Sequence, residues 1–419
     1  LAAVAGLAAF VWREDLARLH AVLTLFAPDR IVHNFSHMDA AFLSVPVPRG
    51  DGPVTPLPAG PPLELSDGTE AWIVDHAVTG LVVLHRGVVV HRQAYLGTGL
   101  EDRRISWSMA KSFVSAAVGI AHADGLLPDL DAPVTRFAPE LAGSAYDGVT
   151  IRQVLQMTSG VAFDEDYDDF WSDINRMGRV LALGRSMDAF AASLEERVRP
   201  AGEAWDYVSI DTHVLAMVLR GATGRSLADY MGAALMAPLG LAAEPRFLTD
   251  GEGVAFALGG LNMTLDDYAR FGLMVAQEGR LAGRQVVPEP WMEESTAASA
   301  PTAPGALGFG YQWWSDPDPR PGEVFARGLY GQYIYVDGAR DVVIVATAAN
   351  LDFLDAGTHP AALATFRRIS DGLAARAGRG AARGRGHGPT GAGALCSAPE
   401  PERRPRWTRT LRSACWARR

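Results

Sequence analysis

The chain has almost no lysine. Of its 38 basic residues 37 are arginine, and the one lysine is Lys111. Arginine serves equally well as a surface charge, so the bias carries no function in itself. It cannot, however, replace an amine that must lose its proton. Cysteine is nearly as scarce: Cys396 and Cys415 both fall in the C-terminal tail. The body therefore has no disulfide framework, no cysteine metal cluster and no thiol nucleophile. The ten histidines include no His-Glu-x-x-His or other ligand spacing, so no catalytic metal and no cofactor are expected. A complete Gly-x-Ser-x-Gly is missing too. The nearest stretch is Gly224-Arg225-Ser226-Leu227-Ala228, at a predicted helix start, which disfavours an α/β-hydrolase. Positive charge is confined. Residues 376–419 hold eleven Arg against Glu400 and Glu402, so the net charge of −10 leaves about −19 on the preceding 375 residues. So acidic a body cannot neutralise phosphates, and no nucleic-acid partner is expected.

What is present is core material. At 419 residues and 48% hydrophobic, the chain can build a large domain, and collagen, coiled coil and wholesale disorder are excluded. The organisation reads in four parts. Residues 1–45 form an N-terminal apolar and helical segment. Residues 46–64 form an extended linker, because seven prolines between 46 and 62 block helix and central strand. Residues 65–377 form one globular domain. Residues 378–419, rich in Gly, Ala, Arg and Pro without apolar periodicity, are expected to be disordered. Within the domain, Leu81–Leu84 and Val88–Val90 flank Arg86-Gly87 as a hairpin, and 107–123 reads as a buried helix. Short helical patterns fill 126–200 and 209–240. Gln332–Val336 and Val342–Ala348 read as strands around Asp337-Gly338, with a helix over about 358–377. Hairpin first, helices in the middle and strands last predict an α/β protein whose sheet draws on both ends of the chain.

The lone lysine lies three residues after a serine, in Ser108-Met109-Ala110-Lys111. On a helix, positions three apart share a face, so the amine reaches the hydroxyl. Ser108 is also placed near a helix start, where free N–H groups favour negative charge. Its neighbours Trp107, Met109, Phe113 and Val114 are apolar, and desolvation moves an amine toward its neutral, basic form. These are the requirements of an activated serine nucleophile. Against them stands chance: with twenty serines in the chain, one falls at that spacing about one time in twenty. Tyr207, in Tyr207-Val208-Ser209, is a candidate third group, since ammonium groups nearby would lower a phenol's pKa and let it serve as acid or base. The alternative for Tyr207 is a core tyrosine with a bonded hydroxyl. The acidic run Asp164 to Asp169 could bind a cation or form an entrance loop, and its carboxylates read first as a solvated loop. Asn262, in Gly259-Gly260-Leu261-Asn262-Met263-Thr264, lines the site or makes a turn.

The stretch SWSMAKSFVSAAVGIAHADGLL, followed by LDAPVTRFAPEL, TIRQVLQMTSG, the Tyr207 segment, ATGRSLADYM and APLGL, resembles the serine β-lactamase-related family. That family includes class C β-lactamases, D-alanyl-D-alanine peptidases, family VIII carboxylesterases and 6-aminohexanoate-dimer hydrolases. FDEDYDD at 163–169 and ARGLYGQYIYVD at 326–337 look most like the last branch. The resemblance implies a mostly antiparallel sheet flanked by helices, with a helical subdomain. It implies Ser108 as the acylated residue, Lys111 as the motif lysine and Tyr207 as the motif tyrosine. Ser108 and Leu329 would supply oxyanion-hole N–H groups, and Tyr167, Ser209 and Arg327 would face the substrate. Ser209 stands where β-lactamases and peptidases carry Asn. The family's Lys-Thr-Gly is absent, its place taken by Ala326-Arg327-Gly328, which puts β-lactamase and peptidase activity in doubt.

The leading expectation is a serine hydrolase cleaving a small-molecule amide or ester through an acyl-enzyme. The alternatives are a cell-wall D-alanyl-D-alanine peptidase or β-lactamase-like enzyme, and a non-catalytic sensor of the same fold. Residues 1–12 are apolar and end at Arg13, too short to span a bilayer but long enough to be the remnant of an anchor or export signal. With the proline-rich stretch as a spacer, the expectation is a membrane-associated or extracytoplasmic protein, the alternative being cytoplasmic.

Overall fold

The computed structural model describes residue 17 and residues 20–384. The strands, in chain order, are β1 (Leu43–Pro46), β2 (Val78–His85), β3 (Val88–Ala94), β4 (Arg104–Ile105), β5 (Arg246–Thr249), β6 (Leu261–Met263), β7 (Arg280–Leu281), β8 (Arg284–Gln285), β9 (Gly308–Phe309), β10 (Trp314–Ser315), β11 (Glu323–Gly328), β12 (Gln332–Asp337) and β13 (Val342–Ala348). Seven of them form an antiparallel sheet in the order β3-β2-β13-β12-β11-β10-β9. The hairpin around Arg86-Gly87 therefore pairs with the last strand of the chain, as the arrangement of elements in the sequence predicts. A second sheet, β1-β5-β6-β4, lies apart from it.

The central strands are apolar on both faces because both faces are covered. Leu81 and Val83 of β2, with Ile344 and Ala346 of β13, pack on helices α1 (Asp67–Asp75) and the C-terminal helix through Trp72, Ile73, Phe366 and Ile369. Val82, Leu84, Val343 and Val345 point the other way, into the main core. Alternation along one strand thus feeds two cores, and each fully buried Val or Leu contributes about 1.5–3 kcal/mol. The main core also receives α2 (Ala110–Ala123), buried from Ala110 to Ala121, and the helix α3 (Ser209–Thr223) packed on it. Helix α4 (Leu265–Ala276), capped by the Thr264 hydroxyl, lies across β13 and β12. The C-terminal helix α5 runs Thr358–Gly384, so helix continues past Gly378, where the composition predicts disorder; residues beyond 384 lie outside the described ones.

The proline-rich stretch is extended, as its composition requires, but it is bound along the body. The Val47 N–H donates to Pro245 O (2.8 Å), Thr55 N–H to Gly240 O (2.8 Å), Gly60 N–H to Val89 O (2.8 Å) and Leu63 N–H to Val90 O (2.7 Å). Residues before it join the body as well: Leu25, Ile31, Phe35 and Met38 are buried in the main core. Among the described residues, no helix is long and apolar enough to cross a membrane. Residues 1–12, on which the tether expectation rests, lie outside the described residues.

Candidate active site

The strand β4 leads directly into the serine. Ile105 pairs with Asn262 of β6, and the Ser106 N–H donates to Leu261 O at 2.8 Å, so the second sheet anchors the turn that follows. That turn, a 3-10 stretch over Trp107–Met109, opens with Trp107 in the left-handed region (φ 43°) and runs into α2. It presents Ser108 at the helix start, one turn before Lys111.

Lys111 is 3% exposed. Its Nζ donates to Ser108 Oγ at 2.9 Å and to Leu258 O at 2.8 Å, and lies 5.3 Å from the centre of the Tyr207 ring. Burial pulls the amine down to about 7, while the negative charge of Glu165 pulls the other way. A neutral amine at this distance accepts the serine proton; a solvated surface lysine could not at the same pH.

Tyr207 immediately precedes α3 and is stacked on Trp314 of β10 (5.5 Å, 27°). The expectation of a lowered phenol is overturned. Burial and then the charge of Glu165 raise its pKa, and the opposing hydrogen bonds with Ser108 and Ser209 do not compensate. These influences favour the protonated phenol, while burial favours the neutral form of the neighbouring amine.

A cavity of about 160 Å³ opens above these groups, lined by Ser108, Tyr167, Tyr207, Arg327, Leu329 and Phe353 among others. Arg327 and Leu354 also line a separate groove of about 910 Å³ against the start of α5. Arg327, on β11, lies 6.0 Å over the Trp314 ring, and among the described residues it forms no ion pair. β11 comes within contact of the serine turn. A Cβ placed on Gly328 would lie 2.4 Å from Ser106 O and 3.2 Å from Ser108 N, so only glycine permits the approach. Leu329 follows in a 3-10 turn with Tyr330 left-handed (φ 59°). The backbone around Ser108 and Leu329 is thereby brought to one wall of the cavity.

Ser108, Lys111, Tyr207, Tyr167, Arg327 and Leu329 thus come together; Ser209 and Asn262 do not line the cavity. Ser209 is buried, and its hydroxyl donates to Glu165 Oε2 at 3.2 Å. Asn262 is a β6 residue whose amide donates to Gly260 O at 2.9 Å; it borders a separate depression with Ser36, Asp102 and Arg246. The acidic run is not uniformly solvated either. Phe163, Glu165 and Tyr167 turn inward while Asp164, Asp166 and Asp168 stay exposed. The Glu165 carboxylate accepts from the Ser209 N–H, the Ser209 hydroxyl and, at 3.0 Å, the Tyr167 hydroxyl. The placement of Phe163 and Tyr167 four apart, with Glu165 midway, was the signal for this, since a period of two puts all three on one face of an extended segment. Among the described residues, no group of three or more His, Cys, Asp or Glu is placed to hold a metal ion.

A serine beside a desolvated amine, at a helix start and against the end of strand β11, defines the class of enzymes that pass an acyl group through a serine ester. The comparisons agree with that class. The chain matches the Beta-lactamase family over residues 73–364 and belongs to it. It is 31% identical over 325 residues to the 6-aminohexanoate-dimer hydrolase of Paenarthrobacter ureafaciens, spanning 74% of this chain and 80% of that protein. It is also 31% identical over 187 residues to esterase EstB of Burkholderia gladioli, spanning 38% of this chain and 44% of that one. Among solved structures, a Bacillus anthracis protein assigned as a 6-aminohexanoate-dimer hydrolase superposes with a TM-score of 0.72. That match has 22% identity and covers 83% of this chain and 96% of the other. The likeness shows the fold: a β-lactamase-type antiparallel sheet flanked by helices. The chain is a serine hydrolase of amide or ester bonds within this family.

Proposed function

We propose that the enzyme cleaves a small amide or ester by acylating Ser108. The observation that carries this reading is the 2.9 Å contact of Lys111 Nζ with Ser108 Oγ, made by an amine that burial pulls down to about 7. Neutral Lys111 takes the proton of Ser108 as Oγ attacks the substrate carbonyl. The N–H groups of Ser108 and Leu329 receive the developing oxyanion. As the tetrahedral intermediate collapses, the C–N or C–O bond breaks. The leaving amine or alcohol takes a proton from the Tyr207 phenol, which the Lys111 ammonium replenishes. Water then attacks the acyl ester, giving its proton back along the same path, and the acid leaves as Ser108 is restored. Arg327 offers an uncompensated cation to a polar end of the substrate, and Tyr167 forms the opposite wall.

The naming of one relative as a 6-aminohexanoate-dimer hydrolase, a dimer in which amine and carboxyl are joined as an amide, and of another as an esterase supports both leaving-group types. The test is a panel of esters, linear amides and β-lactams, with a fluorophosphonate label mapped by peptide sequencing. We expect labelling at Ser108 and turnover of ester or amide substrates, both lost in Ser108→Ala. Labelling at a different serine, or full activity in Ser108→Ala, would overturn the assignment.

A further inference from the structure

The proposed chemistry uses a serine, an amine and a phenol, and the charge of a nearby carboxylate, Glu165, acts on the last two. We propose that Glu165 is a positioning residue of this site, fastening the loop that carries Tyr167 to the first turn of α3 and setting a negative charge beside the serine-lysine pair. This rests on the reading of Ser108 as the acylated residue.

The geometry is that of a clamp. Glu165 accepts from three donors on two elements: the Tyr167 hydroxyl from its own loop (3.0 Å), and the backbone N–H and hydroxyl of Ser209 from α3. Tyr167 lines the substrate cavity, and Ser209 is two residues from Tyr207. The same three bonds therefore hold one wall of the cavity and the chain that delivers the phenol. The Ser209 N–H lies in the first turn of α3, where a carboxylate is favoured by the free amides and the dipole. Around it the loop is built for exposure: Asp164, Asp166, Asp168 and Asp169 all face solvent. A half-buried, fully bonded acid in such a run is a placed one, since desolvating a carboxylate without partners is costly.

Burial raises the Glu165 carboxyl, while the Ser209 and Tyr167 bonds and the Lys111 charge favour its ionised form, and the carboxylate charge acts on the amine and both phenols of the site. From α2 it faces Lys111, whose ammonium form it favours, opposing the burial that favours the free amine. It raises the phenols of Tyr207 and, on its own loop, Tyr167. It also acts on Asp211 of α3 and on Tyr146, which hydrogen-bonds Asp211 at 2.7 Å. Arg327, from β11, acts on Tyr207 in the opposite sense. Glu165 thus keeps Lys111 from becoming too weak a base and keeps the phenol protonated for the return step.

The test uses the full chain and needs no natural substrate. The rate of fluorophosphonate labelling at Ser108 is followed from about pH 5 to pH 9 in the native protein, in Glu165→Gln and in Glu165→Ala. Glutamine retains the shape and removes the charge. Its acid limb should move to lower pH by about half a unit or more, with a several-fold lower plateau because the base is weaker. Alanine removes the clamp, and amide exchange over residues 164–171 should quicken while that of α2 stays unchanged. If the native protein labels at Ser108 and the Glu165→Gln profile superimposes on it, with exchange unaltered in Glu165→Ala, the proposal is wrong. If Glu165→Ala does not fold, the Glu165→Gln profile alone decides. Failure of the native protein to label would instead sink the acyl-serine reading, and this proposal with it.

Discussion

Trp107 and Tyr330 both have left-handed backbone, φ 43° and 59°, and their rings lie 5.9 Å apart. One precedes Ser108 and the other follows Leu329, so the two proposed oxyanion donors are each next to a strained residue. A bulky side chain in this region costs about 1–3 kcal/mol. Phe35 packs edge-on against both rings, at 5.5 and 5.2 Å, and Phe26 stacks on Tyr330 at 5.2 Å. An aromatic cluster, part of it from the N-terminal segment, thereby holds the two turns in place.

Gly328→Ala tests that close approach. The new Cβ would meet Ser106 O at 2.4 Å, a backbone atom that can give way only by moving the serine turn. We expect at least a tenfold loss of kcat and of labelling at Ser108, with destabilisation of about 1–3 kcal/mol in denaturant melts. Native-like kinetics would show that β11 does not shape the site.

Lys111→Arg should lose nearly all activity although the charge is kept, because guanidinium stays protonated at any usable pH. In the native enzyme, acylation should fall with acid below about pH 7, where the amine takes up its proton. A flat pH–rate profile between pH 5 and 8, or substantial turnover by the arginine variant, would remove Lys111 as base.

Tyr207→Phe keeps the stack on Trp314 and deletes only the hydroxyl. Turnover should drop about 100-fold or more, within the range of general acid catalysis, with little change in melting temperature. Amides should suffer more than activated esters, since a poor leaving group depends most on the proton.

Asp211 gives a stability prediction. It is fully buried; Tyr146 donates to its Oδ1, and the Ser159 hydroxyl also favours its ionised form. Burial raises its pKa to about 8. The folded state then holds a proton that the unfolded chain releases near pH 4, so this group's contribution to stability declines as pH rises from about 4 to 8. Asp211→Asn removes that decline. Its melting temperature relative to the native protein should rise steadily between pH 5 and pH 8; a pH-independent difference would contradict the assignment.

Much of this protein was legible in local patterns. The Ser108–Lys111 spacing, the hairpin at Arg86-Gly87, the paired strands around Asp337-Gly338 and the helix over 110–123 all follow from periods and turn residues that involve near neighbours only. The isolated lysine in an apolar setting likewise announced a chemical use for an amine. Other features depended on distant partners. Asn262 looked equally suited to a turn or a site; its pairing through β6 with β4 removes it from the cavity. The phenol of Tyr207 was read from the positive charge near it, whereas burial and Glu165 set its direction. Glu165 itself sits in a run of acids that composition marks as solvated. What selected it was the placement of the Ser209 donors 44 residues away. The sequence by itself determined which groups could react and which elements would carry them, because those depend on side-chain chemistry and short-range periodicity. Tertiary structure alone decided which charges were desolvated and which donors faced which acceptors, because dielectric surroundings and hydrogen-bond geometry exist only once remote segments have packed.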